Sequence, residues 1–182
     1  MWLEAIITRE DLAQVLGEFL PVKIHLDDDE KTDRWLYLDR ATAITLVEDM
    51  GLRVSCPAEL KWSIAGVNPT IKLDELTVLI SPEIIEKNKG SVLAFNLEIE
   101  EADIRGIPAL IDDTIVKAVN SALASKKLEW NFTKTLTHTV GLPSHLEPID
   151  GLDIGVAWGK RRIGQEALAL VVSFKLTFVR ND

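Results

Sequence analysis

Three histidines are the side chains of this 182-residue chain best suited to acid–base or nucleophilic chemistry. None of His25, His138 and His145 stands in a recognisable catalytic motif. Ser144 precedes His145, but a nucleophile and its base meet through tertiary structure and not through adjacency in the chain. The sequence has no phosphate-binding glycine loop, dinucleotide fingerprint or HExxH. We therefore expect a protein that is not an enzyme and that uses no cofactor.

Carboxylates cluster at two places, and neither cluster has the spacing of a metal or catalytic site. The run Asp27–Glu30 lacks the alternating oxygen ligands and the turn glycine of an EF-hand loop, so it is interpreted as a solvated hairpin tip. Asp112 and Asp113 adjoin in a helical segment, where neighbouring side chains point about 100° apart. They suit the positive end of a helix. No metal site is predicted.

The single cysteine and the charge balance exclude several classes of protein. Cys56 alone cannot form an internal disulfide framework or a multi-cysteine zinc site, and its apolar neighbours predict an inert, buried thiol. Lysine and arginine total 20 against 29 acids, a net charge of −9, so a broad nucleic-acid interface is not expected. The clearest basic cluster is Lys160–Arg162.

The N-terminal residues and the apolar runs predict a cytoplasmic chain without stable membrane insertion. Met1–Thr8 lacks a basic region followed by an apolar region, as a signal peptide would have. No stretch approaches the roughly 20 apolar residues that span a bilayer. The length fits one domain, residues 1–182.

The first predicted element is an amphipathic helix. Thr8 and Asp11 have the spacing of a capping box, with Asp in place of Glu. Apolar residues then recur at i, i+3, i+4, i+7 and i+8, and Pro21 ends the pattern. These residues are Leu12, Val15, Leu16, Phe19 and Leu20.

From Val22 to Ile104 the apolar period changes to two, which predicts a series of antiparallel strands. Glycine, proline, asparagine and aspartate separate the segments, as in hairpin connections. The predicted strands begin at Val22 and continue with 34–39, 41–48, 52–56, 59–65, 70–73, 76–81 and 91–100.

A second, longer helix of about 18 residues, roughly 27 Å, is predicted after Pro108. Its acids lie near the N-terminal end, while Lys126 and Lys127 lie near the other end. The buried stripe consists of Ile111, Ile115, Val119, Ala122 and Leu123.

Strands return in the last third of the chain. They are predicted at 130–139, at 152–158 and in a long final strand with apolar residues at strict period two. Gly155 and Gly159 lie on one face of the partner strand, where small residues allow close approach. The apolar row of the long final strand consists of Leu168, Leu170, Val172, Phe174, Leu176 and Phe178.

The order of elements predicts an α+β fold. Strands and helices do not alternate one for one, which disfavours a doubly wound parallel sheet. Long strands with one apolar face need a cover, and only two helices are available. We therefore expect a long, strongly curved antiparallel sheet wrapped around a long helix, with an additional N-terminal helix.

The segment Leu97–Pro108 carries a resemblance to a known family. A strand runs through an Ile107-Pro108 junction into the long helix, and a Leu142-Pro143 break follows among the later strands. This layout resembles a single half-module of the tubular lipid-binding (TULIP) superfamily, the BPI-like and SMP-like proteins. In that family a bent sheet wraps a long helix, and an apolar molecule lies between them.

The resemblance implies a protein that binds or carries a lipid-like ligand in a groove between helix and sheet. An alternative is an interaction or oligomerisation module with a solid core, in which edge strands add a partner strand or two copies pair. Regular apolar faces are also what ordinary core packing produces. The residues expected to line the groove are Phe95, Leu97, Ile111, Ile115, Val119, Phe174 and Leu176.

Overall fold

The computed structural model describes residues 1–26, 34–62, 69–88, 90–102, 109–125, 128–146 and 148–180, with backbone alone at 101–102 and 109–113. Three α-helices are present in these ranges, α1 (Arg9–Phe19), α2 (Ala109–Leu123) and α3 (Phe132–Leu136), together with a 3₁₀ turn at Ser144–Leu146. The strands are β1 (Trp2–Thr8), β2 (Val22–His25), β3 (Trp35–Leu38), β4 (Ala43–Val47), β5 (Gly51–Lys61), β6 (Thr70–Lys87), β7 (Gly90–Ala102), β8 (Leu128–Trp130), β9 (His138–Gly141), β10 (Ile149–Ile163) and β11 (Ala167–Arg180).

The strands form two antiparallel sheets. The seven-stranded sheet has the order β2-β3-β5-β6-β7-β8, and β4 also pairs with β5. The four-stranded sheet has the order β1-β11-β10-β9, so the first strand of the chain lies beside the last. None of the described helices is long and apolar enough to cross a membrane.

Strand β5 shows how the seven-stranded sheet builds the larger core. Its alternate side chains are buried, because one face of the strand packs inward and the other does not. These buried side chains are Leu52, Val54, Cys56, Ala58 and Leu60. The same core includes Leu16 of α1 and three residues of α2, which are Ile115, Val119 and Leu123.

Helix α2 covers an edge of the seven-stranded sheet as well as its face. The Asn120 side chain accepts a hydrogen bond from Ile99 N–H at 2.8 Å and donates one to Ile99 C=O at 2.9 Å. This amide therefore occupies the place of a neighbouring strand at that point of β7. The helix ends where Ser125 N–H turns back to the Ala122 carbonyl, which the Ser125 hydroxyl also contacts.

The short helix α3 holds the two sheets together. Phe132 is fully buried and forms a second core cluster with Leu93 of β7 and Val172 of β11. Thr133 Oγ accepts from Ser91 N–H at 2.8 Å and donates to Ser91 C=O, which covers another point of the β7 edge. A Cβ atom on Gly159 of β10 would lie 2.6 Å from the Phe132 ring. Glycine is therefore required where this ring meets the four-stranded sheet.

The predicted fold class is wrong in its central element. The elements are mainly strands in two curled sheets, and no described helix exceeds the 15 residues of α2, about 22 Å. A single sheet around a long rod does not form, because β9, β10 and β11 pair with one another and with β1, and among the described residues none of them pairs with the seven-stranded sheet. The residues predicted to begin and end that helix, Pro108, Lys126 and Lys127, lie outside the described residues.

Several local predictions have clear outcomes. Helix α1 and the complete capping box between Thr8 and Asp11 are confirmed. The strand predicted over 130–139 is wrong in its middle, because Asn131 accepts from Lys134 N–H and starts α3 there. The acidic run Asp27–Glu30 lies outside the described residues, and one domain for residues 1–182 stays a prediction.

Candidate functional site

The apolar row of β11 changes from buried to exposed along the strand. Val172 is 2% exposed against Phe132, and Phe174 is half-buried in the same cluster. Further along, Leu176 is 50% and Phe178 is 60% exposed. The strand therefore keeps one apolar face throughout, but the rest of the protein covers only part of it.

The exposed end of this row belongs to a wider apolar surface, which we call the open face. Strand register places Val140, Leu152 and Phe178 side by side across β9, β10 and β11. The next row brings Ile154 and Leu176 together, with His138 at the β9 edge. The open face is defined as Val140, Leu152, Ile154, Leu176 and Phe178.

The reverse side of the same strands is polar. Thr139, Asp153 and Thr177 lie side by side there, and the Thr139 hydroxyl donates to the Asp153 carboxylate at 2.6 Å. A sheet with one polar and one apolar side normally packs the apolar side against something. The described residues leave the apolar side of this region partly uncovered.

An apolar pocket lies where the two sheets meet near α1, separate from the open face. Its volume is about 40 Å³, whereas pockets for drug-sized ligands usually measure about 300–1,000 Å³. The pocket holds little more than one water-sized molecule. Its lining residues are Leu12, Leu46, Gly51, Leu52, Ile80, Pro82, Phe95, Ile163 and Leu168.

The predicted groove residues fall into three groups. Ile115 and Val119 are buried in the larger core, where half-buried Leu97 packs against the same cluster. Phe95 and Phe174 pack on the smaller cluster around Phe132. Leu176 lies on the open face. The Ile111 side chain lies outside the described residues, and the role of all seven in ligand binding stays a prediction.

Of the five residues of the open face, only Leu176 was predicted from the sequence to contact a ligand. The sequence predicts Phe178 in the apolar row of the final strand and places Leu152 and Ile154 within the strand over 152–158, but it does not single out Val140. The signal that could have found them is the length of the final strand, because six apolar residues at period two extend beyond what a short helix can cover. Their exposure depends on the packing partner, which the pattern does not specify.

The titratable groups with a shifted pKa have local, structural explanations. Hydrogen bonds from the Thr8 side chain and backbone lower the pKa of Asp11 in the capping box. A bidentate pair with Arg53, with N···O distances of 2.5 and 2.9 Å, lowers the pKa of Glu100. Burial, and to a lesser degree Asp39, raises the pKa of the Cys56 thiol to about 11, which agrees with the predicted inert thiol.

Within the described residues, no group of three or more His, Cys, Asp or Glu side chains could hold a metal ion. Two surface clefts of about 290 and 280 Å³ lie beside Ala41–Ile44 and beside Tyr37. Neither cleft is lined by Asp11 or Glu100. The two carboxylates with a lowered pKa, Asp11 and Glu100, therefore act in local structural pairs outside these clefts.

No protein-family profile matches this chain, and no curated protein matches it. A comparison with solved structures finds a distant likeness to a crystal structure of lipopolysaccharide binding protein, with a TM-score of 0.37 and 14% sequence identity. The likeness covers 98% of this chain and 50% of that one, so this chain spans half of that protein's length. The ligand in that protein's name is a property of that protein alone. Membership of the tubular lipid-binding superfamily stays a prediction.

Proposed function

We propose that this protein binds a lipid-like apolar molecule against the open face and carries it without chemical change. The observation that carries the proposal is the graded exposure of β11, whose Leu176 and Phe178 are half or more exposed on one continuous apolar row. Across the neighbouring strands, Val140, Leu152 and Ile154 extend the same surface. Contiguous exposed apolar surface of this kind marks a binding site more often than scattered single residues do.

The chemistry of the open face favours an alkyl chain over a polar ligand. All five of its side chains are aliphatic or aromatic hydrocarbon groups, and the cross-strand rows contain no carboxylate or ammonium group. His138, at the β9 end of the row of Ile154 and Leu176, supplies one polar group. A ligand with a long apolar body and one polar end fits this distribution. Its binding would be driven by removal of apolar surface from water.

The absence of catalysis is part of the proposal. General acids and bases usually lie in clefts where burial or neighbouring charge shifts their pKa. The two carboxylates with a lowered pKa are instead held by a capping box and by Arg53. Both shifts favour the charged form through structural hydrogen bonds. This supports a binding protein over an enzyme.

The test is a titration of the purified full chain with a fluorescent fatty acid, together with native mass spectrometry for co-purified apolar molecules. We expect saturable binding, which Leu176→Ser weakens about tenfold or more, because burying a leucine contributes about 1.5–3 kcal/mol. Leu128→Ser is the matched control. Leu128 is 53% exposed on β8 of the other sheet, so its loss should leave the affinity unchanged.

The same experiment can refute the proposal in two ways. A chain that binds no fatty-acid probe and carries no co-purified apolar molecule has no such function. If both leucine variants weaken binding equally, the probe adheres to exposed apolar residues in general. Circular dichroism on each variant establishes that the fold is retained.

A further inference from the structure

The edges of β7 and β1 differ in how far they are covered. Along the β7 edge, Thr133 pairs with Ser91, β8 pairs with 93–95 and Asn120 pairs with Ile99. The edge of β1 that faces away from β11 has no comparable cover among the residues described. An uncovered edge strand is a template for pairing with another strand.

Strand register identifies the backbone groups on this uncovered edge. Phe174 N–H donates to Met1 C=O, and Arg9 N–H donates to Glu166 C=O. The register between these two points is unbroken, so the odd-numbered residues of β1 hydrogen-bond to β11. The N–H and C=O groups of Trp2, Glu4 and Ile6 consequently point away from the sheet.

The side chains of β1 are also exposed on both sides. Trp2 and Ile6, on one side, are 67% and 59% exposed. Leu3 and Ile7, on the other, are 52% and 36% exposed. An exposed apolar edge strand is prone to pair with a strand of another chain, and such pairing covers part of its side chains.

We propose that β1 pairs antiparallel with β1 of a second copy of this chain, across a two-fold axis at Ala5, so that one sheet continues through both protomers. Trp2 then lies opposite Thr8 of the second copy, Leu3 opposite Ile7, and Glu4 opposite Ile6. Glu4 and Ile6, whose backbone groups point outward, face each other, as an antiparallel ladder requires. Thr8 N–H already donates to the Asp11 carboxylate, so the ladder ends at the pair of Trp2 and Thr8. The contact is isologous, the usual form for a homodimer.

Charge repulsion and the length of strand that is paired favour this register over the other registers that have a two-fold axis. An axis at Glu4 would place the two Glu4 carboxylates directly opposite each other, which is destabilising. An axis at Leu3 or Ile6 would leave part of β1 unpaired. The axis at Ala5 sets all seven residues of the strand opposite the second copy, with ladder hydrogen bonds between Glu4 and Ile6, and it leaves the 2.8 Å ion pair between Glu4 and Arg162 intact in each copy.

The pairing brings apolar side chains into contact at the sites where cross-strand neighbours are closest. Leu3 and Ile7 occupy positions that do not hydrogen-bond to the second copy, and side chains approach most closely there. The open face lies along 176–178 of β11, whereas β1 pairs with 167–173. Dimerisation is therefore independent of the proposed ligand site, and either can fail without the other.

Disulfide trapping of the full chain tests the register. Ala5→Cys places two thiols across the axis at a Cα separation of about 4.5 Å, within the bridging range. Leu3→Cys is the matched control, since its copies would lie about 14 Å apart along the strand. Both positions are exposed, and the buried Cys56 thiol does not compete. We expect rapid covalent dimer from Ala5→Cys and little from Leu3→Cys.

Light scattering after size exclusion tests the dimer itself. We expect the wild-type chain to be dimeric and Ile6→Pro to be monomeric. Proline at this position removes an N–H group that points to the free edge, and it leaves every hydrogen bond between β1 and β11 in place. Phe178→Ser should remain dimeric. A monomeric wild-type chain at all concentrations overturns the proposal, as does a folded, dimeric Ile6→Pro variant. Equal cross-linking of Ala5→Cys and Leu3→Cys also overturns it, even if the proline variant fails to fold.

Discussion

Strands β5 and β11 carry the same alternating pattern but are covered to very different extents. On β5 the apolar row is buried from end to end, with Leu60 only 2% exposed. On β11 the row begins half-buried, passes through Val172 at 2% and ends at Phe178 with 60% exposure. Period-two alternation therefore predicts that a strand has an apolar face, and the surrounding elements decide how much of that face is buried.

The largest expected difference in stability is between truncating a leucine on β5 and truncating a leucine on β11. Leu60→Ala should lower the free energy of unfolding by about 2–5 kcal/mol, because it leaves a cavity in the larger core. Leu176→Ala should change it by less than about 0.5 kcal/mol, since the side chain is half exposed. Urea denaturation of both variants measures the contrast. Equal losses would mean that the open face is covered in solution.

The next effect contrasts two glycines of β10. Gly159→Ala should cost about 1–3 kcal/mol, because its Cβ would meet the fully buried Phe132 ring and overpack the smaller cluster. Gly155→Ala should be tolerated within about 0.5 kcal/mol, since no atom lies within 4 Å of that Cβ. Thermal unfolding of both variants checks whether the covered and uncovered parts of this sheet differ as described.

A smaller effect is expected from removing the edge cover of the seven-stranded sheet. Asn120→Ala should cost about 1–2 kcal/mol, because it leaves the N–H and C=O of Ile99 without their partner. Hydrogen exchange at the Ile99 amide should accelerate. Thr139→Ala removes an exposed hydrogen bond to Asp153 from the four-stranded sheet. It should have an effect within about 0.5 kcal/mol.

The smallest effect concerns pH and the pair between Arg53 and Glu100. Hydrogen bonds from Arg53 lower the pKa of Glu100 in the folded chain. The pair therefore stabilises the fold fully at pH values above the unfolded pKa of Glu100, about 4.3. This stabilisation is lost as the pH falls through the folded pKa. Glu100→Gln should therefore destabilise the protein by up to about 1 kcal/mol at pH 7, since Arg53 is 41% exposed.

Denaturation at several pH values checks this prediction. The difference between wild type and Glu100→Gln should shrink as the pH falls below 4. A double-mutant cycle with Arg53→Gln isolates the pair, and the second change should add less once the first is made. A difference that stays constant with pH would contradict a contribution from the ionised carboxylate.

Part of the fold could be predicted because its signals are local. The capping box of α1 needs only Thr8 and Asp11 at the right spacing, and the structure confirms it. The alternation of β5 and β11 and the buried stripe of α2 were visible in the same way. The role of Cys56 followed from its apolar neighbours. These features depend on residues only a few positions apart.

Other features depended on contacts between distant residues. Strand β1 was not predicted, because a segment apolar on both faces has no period-two pattern to recognise. Its pairing with β11 joins residues more than 150 positions apart and adds a fourth strand to the second sheet. Helix α3 was predicted as strand, although Asn131 supplied a capping signal that could have indicated it.

The sequence by itself determined which strands carry an apolar face, where α1 begins and that Cys56 has no disulfide partner within the chain, because each follows from residue types at short spacing. Only the tertiary structure decided that the strands divide into two sheets, that Phe132 joins them and that Leu176 and Phe178 remain exposed. The physical reason is that burial depends on which surface packs opposite. Residues far apart in the chain supply that surface.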